Sequence, residues 1–312
     1  MFTLGIDTSN YASSLAVFDT QRGELVFDCK RFLPVKPGEL GLRQSDAVFH
    51  HTAALPALLR QADEAFPLCK IDAVGVSEKP RPAEGSYMPC FLAGVSAAQA
   101  FALARGVPLV RTTHQQGHIA AALFAAAGTA LFEKRVLVFH ISGGTTELLL
   151  CEGARVLRKV GGSTDLYAGQ AVDRIGVKLG FGFPAGAELS RLAAQCDAEI
   201  RPKASTKGTD CSFSGLENQC AALLKRGAAP AYVAKYCLCA IAQTILKMIG
   251  AARRQEPETP VICAGGVMSS GIIRDAVQRA QPEVLFVPGK YAGDNAIGVA
   301  ILAAREACAW PM

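Results

Sequence analysis

The chain begins with LGIDTSN (residues 4–10), SLAVF (14–18), a QRG turn (21–23) and ELVF (24–27), and this layout occurs twice. The second copy reads VLVFHISGG (136–144), TELLL (146–150), an EG turn (152–153) and RVL (155–157). Each copy predicts three strands joined by a tight turn of small polar residues and by a glycine turn. Helical patterns alternating with short apolar strands follow both copies. The sequence therefore predicts a duplicated α/β domain, with lobes at residues 1–130 and 131–312 around a central cleft and with a last helix that can pack back on the first lobe.

The amino-acid composition indicates a folded protein and bears on its location and partners. Hydrophobic residues make up 50% of the 312 residues and charged residues 19%, which is typical of a folded chain with two cores. No apolar run approaches the ~18 residues of a membrane span, so we expect a cytoplasmic protein without a membrane partner. The 11 cysteines include no Cys-x-x-Cys pair, which favours reduced, buried thiols. A net charge of +5 permits a nucleic-acid partner without indicating one.

The polar turns of the two copies predict a nucleotide site. Short turns offer backbone N–H groups and hydroxyls that suit phosphate oxygens, and Asp7 could hold Mg²⁺ or its waters. Gly265 and Gly266 follow an apolar strand and would let the backbone approach a nucleotide closely. Each signal is weak alone, since a Gly-Gly turn after a strand more often serves packing.

A histidine pair has the spacing of metal ligands. His114 and His118 lie four residues apart, so a helix would place both rings on one face, one turn apart. A bare His-x-x-x-His is more often two polar residues on a helix surface, and a third ligand would be needed. Asp294 could be that ligand or could cap a helix. Two histidines and a carboxylate suit iron or zinc acting as a Lewis acid.

The ordered motifs then indicate a family. They are Gly5-Ile6-Asp7-Thr8-Ser9, His114-x-x-x-His118, Ser142-Gly143-Gly144, Ala168-Gly169-x-Ala171-x-Asp173-Arg174, Gly180-Phe181-Gly182-Phe183-Pro184-x-Gly186, Phe213-Ser214-Gly215-Leu216, Gly265-Gly266-Val267 and Asp294-Asn295-Ala296. In these motifs the chain resembles the tRNA N6-adenosine threonylcarbamoyltransferases, long called O-sialoglycoprotein endopeptidases. The resemblance implies the actin-like ATPase fold of sugar kinases, Hsp70 and actin.

The resemblance also implies a site and a reaction. It assigns one divalent metal, iron or zinc, to His114, His118 and Asp294. It implies that threonylcarbamoyl-adenylate or ATP, with Mg²⁺, binds at a set of residues that comprises Asp7, Ser142, Gly143, Gly144, Thr145, Asp173, Gly186, Gly265, Gly266 and Ser270. The exocyclic amine of the adenine beside the tRNA anticodon would attack the carbamoyl carbonyl, and AMP would leave. Synthase partner subunits are implied as well, but no catalytic side chain is assigned.

Several positions depart from the family pattern and leave alternatives open. Residues 10–13 read Asn-Tyr-Ala-Ser where the family has Cys-Asp-Glu-Thr, and residues 78–87 replace a Gly-Pro-Gly loop. Thr145 replaces a histidine and Ser270 an asparagine. One alternative is a non-catalytic paralogue that scaffolds or regulates a synthase, and another is a carbamoyl or phosphoryl transferase with a different acceptor. A peptidase is least supported, because no general-base Glu follows His114 and no nucleophile elbow is present.

Overall fold

A computed structural model describes residues 1–9, 11–34, 42–293 and 296–308, which form two compact units. Unit 1 comprises Met1–Glu133, Gly153–Arg155 and Gly293–Met312 as far as they are described. Unit 2 comprises Lys134–Glu152 and Val156–Ala292. The last helix of the chain is thus part of the N-terminal unit.

The sheet of unit 1 contains β1 (Phe2–Ser9), β2 (Ala12–Asp19), β3 (Glu24–Phe32), β4 (Ala73–Lys79) and β5 (Leu109–Thr113). Their order is β3-β2-β1-β4-β5. The first three strands form an antiparallel meander, whereas β1, β4 and β5 run parallel. Parallel strands end at one edge of a sheet, so the residues at the ends of β1, β4 and β5 lie side by side.

Helices cover both faces of this sheet: α1 (Gln44–Ala65), α2 (Phe91–Arg105), α3 (His114–Ala127) and α10 (Ile297–Ala307). Helix α10 contacts β1, β4 and α3. Its close approach depends on glycine, because a Cβ at Gly5 would lie 2.6 Å from the backbone N of Ala300. On the opposite face α2 approaches β1, where a Cβ at Gly94 would lie 2.7 Å from the Thr8 hydroxyl.

The sheet of unit 2 contains β6 (Arg135–Ile141), β7 (Thr146–Glu152), β8 (Arg155–Gly162), β11 (Val261–Ala264) and β12 (Leu285–Phe286). Their order is β12-β11-β6-β7-β8, with β6 and β7 antiparallel and β6, β11 and β12 parallel. A meander flanked by two parallel strands therefore occurs in both units. The predicted duplication is confirmed.

The helices of unit 2 are α4 (Ala168–Lys178), α5 (Gly186–Ala193), α6 (Ser214–Lys225), α7 (Pro230–Arg253), α8 (Gly271–Ala280) and α9 (Gly289–Ala292), and β9 (Thr206–Lys207) pairs with β10 (Asp210–Cys211). Within the described part of the chain, α7 alone is long and apolar enough to cross a membrane by length and composition. Its most apolar window is 61% buried, and α7 packs against α5, α6 and α8. The buried core helix of a soluble protein also meets these criteria, so α7 is only weak evidence for a membrane span.

Candidate active site

The histidine pair lies at the start of α3 in unit 1. β5 ends at Thr113, whose hydroxyl caps the helix by accepting from the backbone N–H of Gln116 at 3.2 Å. His114 is the first helical residue and His118 lies one turn further. Their Nε2 atoms face each other at 2.9 Å, and the ring centroids are 4.3 Å apart. The cap therefore fixes where the helix begins and, with it, the meeting of the two imidazoles.

Asp7 supports this pair from the end of β1. Its side chain is buried, and Oδ1 lies 3.1 Å from Nδ1 of His114 and also accepts a hydrogen bond from the Ser77 hydroxyl. Burial by itself raises the pKa of Asp7, but the charge of His114 and the two hydrogen bonds together hold this pKa below its ordinary value. An ionised Asp7 accepts a hydrogen bond from Nδ1 of His114, so when the imidazole is neutral its proton lies on Nδ1 and Nε2 is the electron-pair donor.

The geometry of these side chains fits a bound metal. Histidine nitrogens bind divalent metals at about 2.1 Å, so two nitrogens on one ion are about 3 Å apart at a right angle and about 3.4 Å apart at a tetrahedral angle. The 2.9 Å between the Nε2 atoms of His114 and His118 is near the first value, and Asp7 on Nδ1 of His114 is the usual carboxylate behind a metal-binding histidine. In the described residues no group of three or more His, Cys, Asp and Glu side chains could hold a metal. Asp294, the predicted third ligand, lies outside the described residues.

A second buried histidine belongs to the framework of unit 1. His51 on α1 is fully buried, and its Nδ1 lies 2.7 Å from the Ser13 hydroxyl on β2. Burial lowers the pKa of His51 to about 4, partly opposed by the charge of Asp7. His51 is therefore neutral at pH 7 and joins α1 to the sheet.

The glycine turn of unit 2 lies between β6 and β7. The backbone N–H of Ser142 donates to the carbonyl of Thr145 at 2.8 Å, which closes the turn. The start of α4 packs directly beneath it, since a Cβ at Gly169 would lie 2.6 Å from the Cα of Gly143. A Cβ added at Gly143 or at Gly144 would meet no described atom within 4 Å. This turn is thus supported on one side and open on the other.

The turn after β11 lies beside the first one. β11 pairs with β6 in parallel, and a Cβ at Gly265 would lie 2.7 Å from the carbonyl carbon of Ile141. Gly265 has φ 102° and ψ 162°, a conformation open essentially to glycine alone. A Cβ at Gly266 would again meet no described atom within 4 Å. Ser270, four residues after Gly266, is buried and accepts a hydrogen bond from the Ser190 hydroxyl at 3.2 Å.

Asp173 and Gly186 come from α4 and α5 of the same unit. The Asp173 carboxylate accepts a hydrogen bond from the backbone N–H of Ala185 at 2.8 Å, immediately before Gly186 begins α5. Burial raises the pKa of Asp173, and this hydrogen bond opposes the rise. The structure thus brings the predicted unit 2 residues together around adjacent turns. It places Asp7 with the histidines of unit 1.

Ser77 is the site residue that sequence reasoning missed. It ends the apolar run Ala73-Val74-Gly75-Val76 of β4, and it is fully buried. The parallel register pairs Ile6 with Val76, which puts Ser77 beside Asp7. A single polar residue at the end of a buried strand was the available signal, but only the pairing of strands reveals its partner.

Solved structures with the same fold have low sequence identity. Full-length HypF in the phosphate- and nucleotide-bound form aligns with a TM-score of 0.63 and 12% identity, covering 99% of this chain and 56% of that one. Component A of (R)-2-hydroxyglutaryl-CoA dehydratase from Acidaminococcus fermentans aligns with a TM-score of 0.58, 16% identity and 99% coverage of both chains. The ROK hexokinase of Thermus thermophilus aligns with a TM-score of 0.52 and 16% identity, covering 98% and 99%. These likenesses confirm the predicted actin-like ATPase fold.

Sequence relatives are closer and share one name. Proteins named tRNA N6-adenosine threonylcarbamoyltransferase from Anaeromyxobacter dehalogenans and Trichlorobacter lovleyi are 37% and 30% identical to the chain. The first match covers 74% of this chain and 71% of the relative, and the second covers 96% and 90%. The sequence model described as "TsaD: tRNA N6-adenosine threonylcarbamoyltransferase" matches residues 40–301. The chain therefore belongs to the tRNA N6-adenosine threonylcarbamoyltransferase family.

Proposed function

We propose that this chain carries out the acyl transfer of its family with one divalent metal, iron or zinc, bound by His114 and His118. The reaction joins a threonylcarbamoyl group to the exocyclic amine of the adenine beside the tRNA anticodon. The amine nitrogen bonds to the carbamoyl carbonyl carbon of threonylcarbamoyl-adenylate, the bond from that carbon to the phosphate oxygen breaks, and the amine loses a proton. AMP is the leaving group.

One observation supports the proposal above the others: the Nε2 atoms of His114 and His118 face each other at 2.9 Å with Asp7 behind His114. A metal bound there would supply a Lewis acid for the carbonyl or phosphate oxygens. Asp7 positions His114 by accepting a hydrogen bond from its Nδ1–H, and the Ser77 hydroxyl donates a hydrogen bond to Asp7 in turn. Asp294 stays a predicted third ligand, and a contact of Asp7 with the nucleotide or Mg²⁺ also stays a prediction.

The turns of unit 2 support binding of the adenylate or ATP. Gly143, Gly144 and Gly266 are exposed, and a Cβ added to any of them would meet no described atom within 4 Å, so a phosphate can approach this backbone, whose N–H groups are hydrogen-bond donors. Asp173, held by the Ala185 amide, can accept from a ribose hydroxyl. Because an aromatic amine is a weak nucleophile, positioning of the acyl donor is the main contribution expected of these residues.

Thr145 and Ser270, where the family pattern has histidine and asparagine, are part of the proposed nucleotide site. We assign the chain to the cytoplasm, with tRNA as acceptor and with synthase partner subunits. A scaffold without catalysis has no use for the imidazole arrangement of α3, so that alternative is less well supported.

The test combines metal analysis with tRNA modification. Wild type and the variant His114→Ala/His118→Ala would be purified with partner subunits and supplied with tRNA, threonine, bicarbonate, ATP and an adenylate-forming enzyme. His50→Ala is the matched control, because His50 is a partly exposed histidine on α1. We expect stoichiometric metal and modified adenine in wild type and control, and neither in the double variant. A wild-type protein that binds metal but does not modify tRNA would indicate a different acceptor. A wild-type protein without bound metal would favour the non-catalytic scaffold.

A further inference from the structure

An aromatic side chain protrudes from the loop between α4 and α5. Phe183 is 80% exposed, more than any other large apolar residue among those described. Burying an aromatic ring is favourable, so such exposure often indicates a surface that meets a partner. Phe183 lies three residues before Gly186 of the proposed nucleotide site.

The loop that carries Phe183 is tied to α4 on both sides. The backbone N–H of Phe181 donates to the carbonyl of Gly176 at 3.0 Å. On the other side, the N–H of Ala185 donates to Asp173 at 2.8 Å. The backbone on both sides of Phe183 is therefore held in place, which lowers the entropy cost of ordering this residue when a partner binds.

Cations lie on both helices that flank the loop. Arg174 and Lys178 of α4 share one carboxylate, that of Glu217, at 3.1 and 2.6 Å. On α5, Arg191 pairs with Glu188 at 3.6 Å, and both side chains are well exposed. The cluster of Arg174, Lys178 and Glu217 carries one net positive charge, and it lies on α4 and α6, of which α4 leads into the Phe183 loop. Exposed ion pairs are weak, so phosphate groups can compete for these side chains.

We propose that Phe183 is a stacking platform for an unpaired base of the tRNA anticodon loop, with Arg174 and Lys178 close to the adjacent phosphates. The inference rests on the proposed function, which makes tRNA the acceptor. Proteins recognise single-stranded RNA by stacking splayed bases on aromatic rings and by binding the phosphates with positive charge. Here the loop supplies the ring, and the preceding helix α4 supplies Arg174 and Lys178. The position of Phe183 next to the adenylate site would hold the anticodon loop where its adenine can react.

The experiment uses the full chain with an anticodon stem-loop that carries 2-aminopurine at one unpaired position at a time. The fluorescence of this base changes when its stacking partner changes. In wild type we expect a fluorescence change at one loop position, and Phe183→Leu should abolish it and raise the Kd for the stem-loop about 10-fold, within the range of base–aromatic stacking. Phe183→Tyr should behave as wild type. Phe32→Ala, at an aromatic residue 67% exposed on β3, is the matched control and should change neither quantity.

Each outcome decides the inference. Equal fluorescence changes and equal Kd values in wild type and Phe183→Leu overturn it while leaving the proposed function intact. A Phe183→Leu variant that loses affinity for an ATP analogue but not for RNA also overturns it, because Phe183 would then serve the nucleotide. A wild-type protein that neither binds the stem-loop nor modifies tRNA rejects the proposed function, and the inference with it.

Discussion

Replacing Gly265 by alanine should destabilise unit 2, and the adjacent glycine provides the control. Gly265 joins β11 to the second turn of the proposed nucleotide site with φ 102° and ψ 162°. A Cβ there would lie 2.7 Å from the carbonyl carbon and 3.0 Å from the backbone N of Ile141, and closer still to its oxygen. Ile141 ends β6 at the centre of the sheet, so its backbone cannot move away without disturbing two strand pairings.

The expected cost follows from two contributions. A non-glycine residue in this conformation costs about 1–3 kcal/mol. Relieving the overlap with a packed backbone costs about 1–3 kcal/mol more, the range for overpacked interiors. A loss of about 4 kcal/mol is a large part of the ~5–15 kcal/mol that stabilise a folded protein. With a urea dependence of about 2 kcal/mol per M, the unfolding midpoint should fall by about 2 M.

The assay is urea unfolding of wild type, Gly265→Ala and Gly266→Ala, followed by circular dichroism. Gly266 has no positive φ, and a Cβ there would meet no described atom within 4 Å, so Gly266→Ala should change stability by less than about 1 kcal/mol. Binding of an ATP analogue should weaken in Gly266→Ala if its open side receives the nucleotide. Equal midpoints for the two variants would refute the reasoning.

Three further predictions concern the side chains of Asp7, His51 and Asp173. Asp7→Asn should lower metal affinity about 10- to 100-fold in a chelator competition, because the amide no longer draws the proton of His114 to Nδ1; unchanged affinity would contradict this role. The pKa of His51 is about 4 in the folded protein and 6.5 in the unfolded chain. As the pH falls, the imidazole is therefore protonated first in the unfolded state. The stability that neutral His51 contributes is present above pH 6.5 and lost by pH 4, and the advantage of wild type over His51→Gln in unfolding free energy should shrink by about 3 kcal/mol across that interval. Parallel pH profiles would exclude this. Asp173→Asn keeps an acceptor for the Ala185 amide but removes the charge, so affinity for an ATP analogue should fall about 10-fold or more in calorimetry while the unfolding midpoint stays within error. A midpoint that falls instead would assign Asp173 to the fold.

Much of the architecture was readable from local patterns. Alternating strands, glycine turns and their repetition predicted the duplicated α/β domain, because strand and turn preferences act over a few residues. The i, i+4 spacing of His114 and His118 likewise predicted one helix face, since helix geometry alone sets that relation. The 2.9 Å approach of their Nε2 atoms is consistent with that spacing but depends on ring orientation.

Other features depended on residues far apart in the chain. Asp7 contacts His114, which is 107 positions away in the sequence, and Ser77, which is 70 positions away. These contacts form because β1, β4 and β5 pair in parallel and end at one edge of the sheet. Nothing in the local sequence of Asp7 indicates these partners, and the sequence alone suggested Mg²⁺ or its waters instead. The return of α10 to unit 1 depended in the same way on packing against β1, where Gly5 leaves the space.

The sequence by itself thus determined the elements, their duplication, the histidine spacing and the motifs of the family, all of which are local or ordered along the chain. Only the tertiary structure decided that Asp7 lies behind His114, that the turn at Ser142–Thr145 adjoins Gly265, and that Phe183 stands exposed on an anchored loop. The physical reason is that strand pairing and burial join residues many positions apart, and local preferences carry no information about which distant partner is chosen.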